Sequence, residues 1–389
     1  MANAPAWGFA LDWPTKAVAA VGLTKSGGFP PEPLGDEAWA RLRDHASQHR
    51  LSGLLVASVA RGVLPATDEH RAEMAGLEVE LTLNRMWHEG RLVEIVALLA
   101  DAGVEVRVLK GPALSSLDYP DAQWRPTQDI DLLVRGAEID RAISALTEVG
   151  GTHTDFAVDR FPGFAATVGK GATVLMPGGL EIDLHRLLSW GPLGVRVPPE
   201  ELWRSGRTFE RGGARFETLD VEGTLLHACA HLLLGGWRRA LTLRDVAQVL
   251  ANPALDPERL LVTARHWGAE AVLATGVLLA HRELNLGAET VDERVDDVFG
   301  EGAVVTAWAR GFAPRLRDRL WLRVQRPDAP IPYVGRLATL VELRTPVERH
   351  MLVRATSRTA LESYRSVSRA PGWRMNSRLS VLSRPDGRG

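Results

Sequence analysis

The chain has 389 residues, 45% hydrophobic and 24% charged, with a formal net charge of −2. These values exclude wholesale disorder and leave room for two or three domains around a sizeable core. A single cysteine, Cys229, excludes an intrachain disulfide and suits a reducing compartment.

Residues 1–34 hold Trp7, Trp13 and several Gly and Pro, and their pattern assigns no firm structure. Asp12 and Pro14 interrupt any apolar run there, so a secretory leader is not expected. No later stretch reaches the ~20 apolar residues of a membrane helix, and the expectation is a cytoplasmic chain that does not enter a membrane. Residues 36–62 read as two short helices. Thr67 or Asp68 can cap a longer helix from about His70 to Ala102, with apolar residues at Leu77, Val79, Leu81, Leu83, Met86, Leu92, Ile95 and Leu98. Gly76 and Gly90 are candidate breaks, and Gly103 is a suitable stop.

Val104–Leu109 predicts a strand that ends at Lys110-Gly111-Pro112, with Pro112 at the start of a short helix. Asp129-Ile130-Asp131-Leu132-Leu133-Val134 predicts a buried strand. Side chains two residues apart share a strand face, so Asp129 and Asp131 project together, roughly 7 Å apart at the backbone, while Ile130, Leu132 and Val134 face a core. Adjacent carboxylates repel and raise each other's pKa unless a cation neutralises them, and hard divalent ions such as Mg²⁺ do so. The alternative is an acidic strand end that is only solvated or bonded to backbone amides.

A helix is expected over Ala137–Val149, then strands at Phe164–Val168, Ala172–Leu175 and Leu180–Leu184, the last two joined by Met176-Pro177-Gly178-Gly179. In Glu181-Ile182-Asp183-Leu184-His185, residues Glu181, Asp183 and His185 share one face. Beside the first strand, Asp183 would complete a three-carboxylate cluster able to hold two metals, with Glu181 next in line for that place. Asp183 as an exposed strand position is the bland alternative. Lys110 and Gly111, at a helix start, are candidates for phosphate contact, and Arg125 for clamping a phosphate or bracing the carboxylates. Each could equally be structural.

From Pro198 the pattern is helical, with helices over Glu222–Leu234 behind an Asp220 cap, Leu241–Leu250, Pro257–His266, Glu270–Glu283 and Val291–Phe299. His227 and His231 share a helix face and, with His185 or Asp245, could ligate zinc, although the flanking leucines favour core histidines. His231 is also a candidate to line a substrate pocket, and Trp124 and Trp237 to stack on a base. Pro327, Pro330 and Pro332 form a connector into the final segment. Residues 310–389 hold 17 Arg and no Lys against six acids, a net +11, which suits an anionic partner or a solvated helical surface alike.

Leu109-Lys110-Gly111-Pro112-Ala113-Leu114, Tyr119-Pro120-Asp121, Arg125-Pro126-Thr127-Gln128-Asp129-Ile130-Asp131 and Asp183-Leu184-His185 together resemble the uncharacterised nucleotidyltransferase family of the polymerase-beta-like superfamily. The match is tight over about residues 105–190 and loose through His227–His231 and Leu243–Asp245. Lys110-Gly111-Pro112 stands where the superfamily has Gly-Ser, and the gap to the Asp pair is longer than usual.

The resemblance implies an α/β (α+β) nucleotidyltransferase core with a mixed sheet at residues 104–205. An N-terminal helical region (1–103) and a C-terminal helical domain (206–389) flank it. It implies a nucleoside triphosphate substrate, ATP first among them, and two Mg²⁺, or Mn²⁺, held by Asp129, Asp131 and Asp183. Asp183 would be third ligand or general base, and Gly111 would take the phosphate turn, with Lys110, Arg125 and His231 around the nucleotide. The expected reaction moves an NMP group to a small molecule, peptide, protein or RNA and releases pyrophosphate. The competing readings are a phosphotransferase of the same fold, a non-catalytic nucleotide- or RNA-binding protein, and a zinc hydrolase.

Overall fold

The computed structural model describes residues 11–23, 28–153, 163–234, 239–286 and 299–316, and beyond these 318, 322, 340, 343, 346 and 348–353. Trp7, Trp237, most of the expected helix over Val291–Phe299, the proline connector and most of the Arg-rich end lie outside the described residues.

Four helices precede the sheet. Helix α1, Trp13–Ala19, starts behind an Asp12 cap whose Oδ1 accepts from the Thr15 amide at 3.1 Å, with Pro14 in its first turn. It falls where the sequence pattern assigned nothing. Helices α2, Asp36–Gln48, and α3, Ser52–Ala60, follow as expected. Helix α4, Asp68–Asp101, begins with a Thr67–His70 capping box and runs unbroken through Gly76 and Gly90. Each glycine costs about 1 kcal/mol against alanine, which a helix of 34 residues packed along one face absorbs. That face carries His70, Met74, His88, Leu92, Ile95 and Leu99. Contrary to the sequence expectation, Val79, Leu83 and Met86 lie outside it and are exposed.

The sheet runs β1-β2-β5-β4-β3, with β1 Val106–Leu109, β2 Asp129–Val134, β3 Thr152–His153, β4 Gly171–Leu175 and β5 Glu181–His185. β2 and β5 are parallel; the other pairings are antiparallel, so the sheet is mixed. Helix α5, Gly111–Leu117, follows β1, and α6, Ile139–Glu148, follows β2. Phe164–Thr167 is a short helix, α7, rather than the expected strand. Two alanines favour the helix, and the Phe164 carbonyl accepts from the amides of Val168 and Gly169.

After two short helices, α8 Pro192–Arg196 and α9 Glu201–Arg204, the chain forms a hairpin where only helix was expected. Its strands are β6, Gly206–Arg211, and β7, Ala214–Leu219. Gly212 and Gly213 form its two-residue turn, both at positive φ, the backbone such a hairpin requires. The buried Arg107 guanidinium donates to the carbonyls of Leu202, Trp203 and Ser205 beneath it.

The remaining helices are α10 Val221–Leu234, α11 Ala240–Leu250, α12 Pro257–His266, α13 Glu270–Glu283 and α14 Gly302–Gly311. Asp220 caps α10 by accepting from the Gly223 amide at 2.8 Å. Helix α13 crosses α10 closely: a Cβ on Gly276 would lie 2.7 Å from the Cys229 Sγ. The fully buried Arg244 donates to the carbonyls of Ala19 and Val21 and to Gln248, tying the end of α1 to α11. None of the described helices is long and apolar enough to cross a membrane.

Two hydrophobic cores meet at β2. Ile130, Leu132 and Val134 enter the core under α4 and α6, whereas Leu133 enters the one shared by α1–α3 and α10–α14. Asp129 and Asp131 occupy the same strand face as Leu133, at the end where that second core opens.

Candidate active site

The parallel pairing of β2 with β5 sets Asp129 opposite Glu181, Asp131 opposite Asp183 and Leu133 opposite His185. Neighbouring strands lie about 4.8 Å apart, so two aligned strands with acids at alternate positions produce a block of four carboxylates on one face. Asp131 is almost fully buried and Asp183 partly so.

His185 lies beneath the inner pair. Its Nε2 is 2.8 Å from both Asp131 Oδ1 and Asp183 Oδ2. Lys110 Nζ donates to Asp131 Oδ1 at 2.6 Å, and Lys170 Nζ to Asp183 Oδ2 at 3.1 Å. The Thr173 hydroxyl donates to Asp183 Oδ1 at 3.2 Å. Burial alone would raise both carboxyls, but Lys110 and His185 hold Asp131 well below the usual carboxylate range, and His185 and Lys170 do the same for Asp183. Burial likewise works against the Lys110 ammonium, and the Asp131 charge outweighs it and raises its pKa. At the outer pair, Glu181 is raised by desolvation and by the neighbouring charges of Asp129, Asp183 and Asp131.

Above the carboxylates lies a cavity of about 230 Å³. Asp129, Asp131 and Glu181 line one side; Lys110, Arg125, His231, Arg50 and Arg239 also face it. The Arg125 guanidinium is engaged by Asp245 through a two-pronged pair, Nε–Oδ1 at 2.8 Å and Nη2–Oδ2 at 2.9 Å. The Tyr119 hydroxyl donates to the same Asp245 Oδ1 at 2.8 Å. Gly111 lies under the loop that leads to β2, where a Cβ would be 3.0 Å from Thr127 Cγ2. Lys110, which caps α5, has φ +46°, a strained backbone for lysine.

The structure thus pairs Lys110 with Asp131, joins Asp131 to Asp183 through His185, and sets Asp129, Arg125 and His231 with Asp131 around the cavity. Trp124 is buried elsewhere, beneath the Arg61 guanidinium. Lys170 and Arg50 were not singled out from sequence, and His185 was a candidate only for the zinc set. His185 was legible as a third position on the Glu181–Asp183 face, whereas Lys170 and Arg50 come from turns with no motif.

Among the described residues, Asp131, Asp183 and His185 form a group whose donor atoms lie within 4.8 Å of one another. Two hard carboxylate oxygens at its centre, with Asp129 and Glu181 one register step away, fit a divalent ion of the Mg²⁺ or Mn²⁺ type. The zinc set suggested by the sequence does not form among the described residues: His227 and His231 join no such group with either His185 or Asp245, and Asp245 is held by Arg125. His227 lies beside His185 with ring centroids 6.2 Å apart, and His227 Nε2 and His185 Nδ1 are both buried without a hydrogen-bond partner. Burial, with Lys110 close by, pushes the His227 and His231 imidazoles well below their usual range and keeps both rings neutral.

The model of a family described as uncharacterised nucleotidyltransferase matches residues 35–285. Among solved structures, the chain is similar to ANT(2″)-Ia, determined in complex with adenylyl-2″-tobramycin, at 12% identity and a TM-score of 0.35, covering 47% of this chain and 97% of that one. An antigenic nucleotidyltransferase-like protein from Paracoccidioides brasiliensis is similar at 14% identity and a TM-score of 0.30, covering 53% and 98%. No curated protein matches the chain.

Proposed function

Because the chain belongs to the uncharacterised nucleotidyltransferase family, we propose that it transfers an NMP group from an NTP, ATP first among them, to an acceptor and releases pyrophosphate. Membership of the family implies a nucleoside triphosphate substrate and divalent metal use in general. The observation that carries the finer reading is the register of β2 against β5, which sets Asp131, a residue of the cavity wall, beside Asp183.

In this reading Asp129, Asp131 and Asp183 hold two Mg²⁺. When bound, the ions neutralise the triphosphate and lower the barrier to attack by the acceptor oxygen. Lys110 and His185 keep Asp131 ionised, and Lys170 and His185 keep Asp183 ionised, so both carboxylates are ready to ligate at neutral pH. Asp183 is assigned here as the third ligand, with proton removal from the acceptor as its alternative role. Gly111 admits the loop before β2 close to the start of α5. Arg125 braces the cavity wall through Asp245, and neutral His231 presents a hydrogen-bonding edge to the nucleotide or acceptor. As the acceptor oxygen bonds to the α-phosphorus, the bond to the bridging oxygen breaks and the acceptor's proton is released.

The test is incubation with each NTP labelled at the α-phosphate, Mg²⁺ and pools of tRNA, cell protein and small metabolites. The expected result is transfer of α-label to one pool, lost in Asp131→Asn with the fold intact. Transfer of γ-label instead would replace this reading with phosphoryl transfer. Undiminished turnover in Asp131→Asn would remove the metal role. One observation favours a second reading, a nucleotide-binding protein without turnover: Asp131 and Asp183 already have protein cations beside them. Calorimetry separates the two, since binding that ignores Mg²⁺ favours the second.

A further inference from the structure

Arg50 sits in the three-residue link between α2 and α3, at φ +58°, a left-handed backbone that a branched-off Cβ disfavours. Such a conformation persists where the surroundings hold it. Here the preceding residue is tied to α11, because the Leu241 amide donates to the His49 carbonyl and the Ala240 amide to His49 Nδ1, each at 3.3 Å. The turn thereby aims Arg50 into the cavity above the carboxylates.

Its charge is not answered there. Lys110 is paired with Asp131 and Arg125 with Asp245, but among the described residues no hydrogen bond or ion pair reaches the Arg50 guanidinium, and its Nε is buried without a partner. Asp129 and Glu181, at the outer end of the carboxylate block, likewise have no cation within ion-pair distance among the described residues. Arg50 feels the charge of Asp129 most among its acidic neighbours. The cavity therefore holds acids lacking a cation on one side and an arginine lacking an anion on the other.

A ligand that fits both sides at once carries a divalent cation on a polyphosphate. The planar guanidinium matches two phosphate oxygens in a fork that a point charge does not provide. We infer that Arg50, contributed by the N-terminal helices, recognises the phosphate chain of the nucleotide and sets the preference for triphosphate over monophosphate. This inference rests on the nucleotidyltransferase reading and adds to it the residue that reads the length of the phosphate chain.

Calorimetry with the full chain tests it, using the Mg²⁺ complex of a non-cleavable α,β-methylene ATP and, separately, AMP with Mg²⁺. Arg50→Ala is expected to weaken the triphosphate by about 10- to 100-fold, the worth of a charge-assisted hydrogen-bonded pair, and AMP by less than about threefold. Arg50→Lys should fall between, and Arg50→Gly, which accepts the left-handed backbone, should match Arg50→Ala while keeping the fold. Triphosphate affinity within about twofold of wild type in Arg50→Ala, or equal losses for both ligands, overturns the inference alone. Failure of the wild-type chain to bind any nucleotide overturns the nucleotidyltransferase reading and this inference with it.

Discussion

Replacing Asp245 with alanine strips two buried groups of one shared partner. The Asp245 and Arg125 side chains are 5% and 7% exposed, so the Arg125 guanidinium would be left as a buried charge with no acceptor. Breaking a buried pair from one side costs about 3–5 kcal/mol, and a stranded Tyr119 hydroxyl is worth about 1–3 kcal/mol by itself. The two losses share an acceptor and do not add, so about 4 kcal/mol is expected in total. At about 2 °C per kcal/mol for a chain of this size, the melting temperature should drop by roughly 8 °C. Thermal and urea unfolding, followed by tryptophan fluorescence and circular dichroism, measure this directly. The triple replacement Tyr119→Phe, Arg125→Met, Asp245→Leu should recover most of the loss, since an apolar set of similar volume replaces a buried ion pair at little cost. A single variant within about 1 kcal/mol of wild type, or a triple variant no more stable than the single, would refute the reasoning.

Burial, assisted by Arg310, pushes His281 down to about 4 from an ordinary 6.5. Its unfolded form therefore takes up a proton first, and stability that is full above pH 6.5 is lost as pH falls toward 4. Between pH 7 and pH 5 the expected loss from this group is about 2 kcal/mol, measured as the difference in urea midpoints between wild type and His281→Gln; identical pH slopes would exclude it. Cys229 is fully buried, and desolvation pushes its thiol up, so a disulfide reagent should label it only as fast as the chain unfolds. Rapid labelling of the native protein would contradict the close approach of α10 and α13. Gly276→Val at that crossing should destabilise by about 1–3 kcal/mol through overpacking, read from the thermal midpoint, and a neutral result would count against the same crossing.

The chemistry of the carboxylate block was legible because a strand repeats every two residues, so Asp129 with Asp131 and Glu181 with Asp183 had to share faces. The helices over Pro257–His266 and Glu270–Glu283 were legible from their own helical pattern, whereas the mixed sheet was implied by the family resemblance. What local periodicity does not carry is who sits opposite whom. Lys170 reaches Asp183 because β4 runs antiparallel to β5, and no residue near Lys170 announces that pairing. Arg125, a candidate phosphate clamp from its place before the Asp pair, meets Asp245 from a helix more distant in sequence. In α4 the period identified the helix but not its orientation: Val79, Leu83 and Met86 form a stripe apart from the buried His88, Leu92, Ile95 and Leu99. The β6–β7 hairpin did have a local signal, Gly212-Gly213 between two short alternating runs, which the surrounding helical composition obscured.

Strand β2 serves two masters at single-residue spacing, with aliphatic side chains for one core and acids for the cavity. Its core-facing positions Ile130, Leu132 and Val134 should therefore accept aliphatic exchange far more readily than the segment accepts changes of length. A single inserted or deleted residue would turn Ile130 and Leu132 toward the cavity and drive carboxylates among the aliphatics under α4. A paired insertion restores the alternation and displaces the acids by one step against Glu181 and Asp183. In a library of variants, this strand should read as a frame of two, tolerant of aliphatic exchange at its core positions and intolerant of shifts.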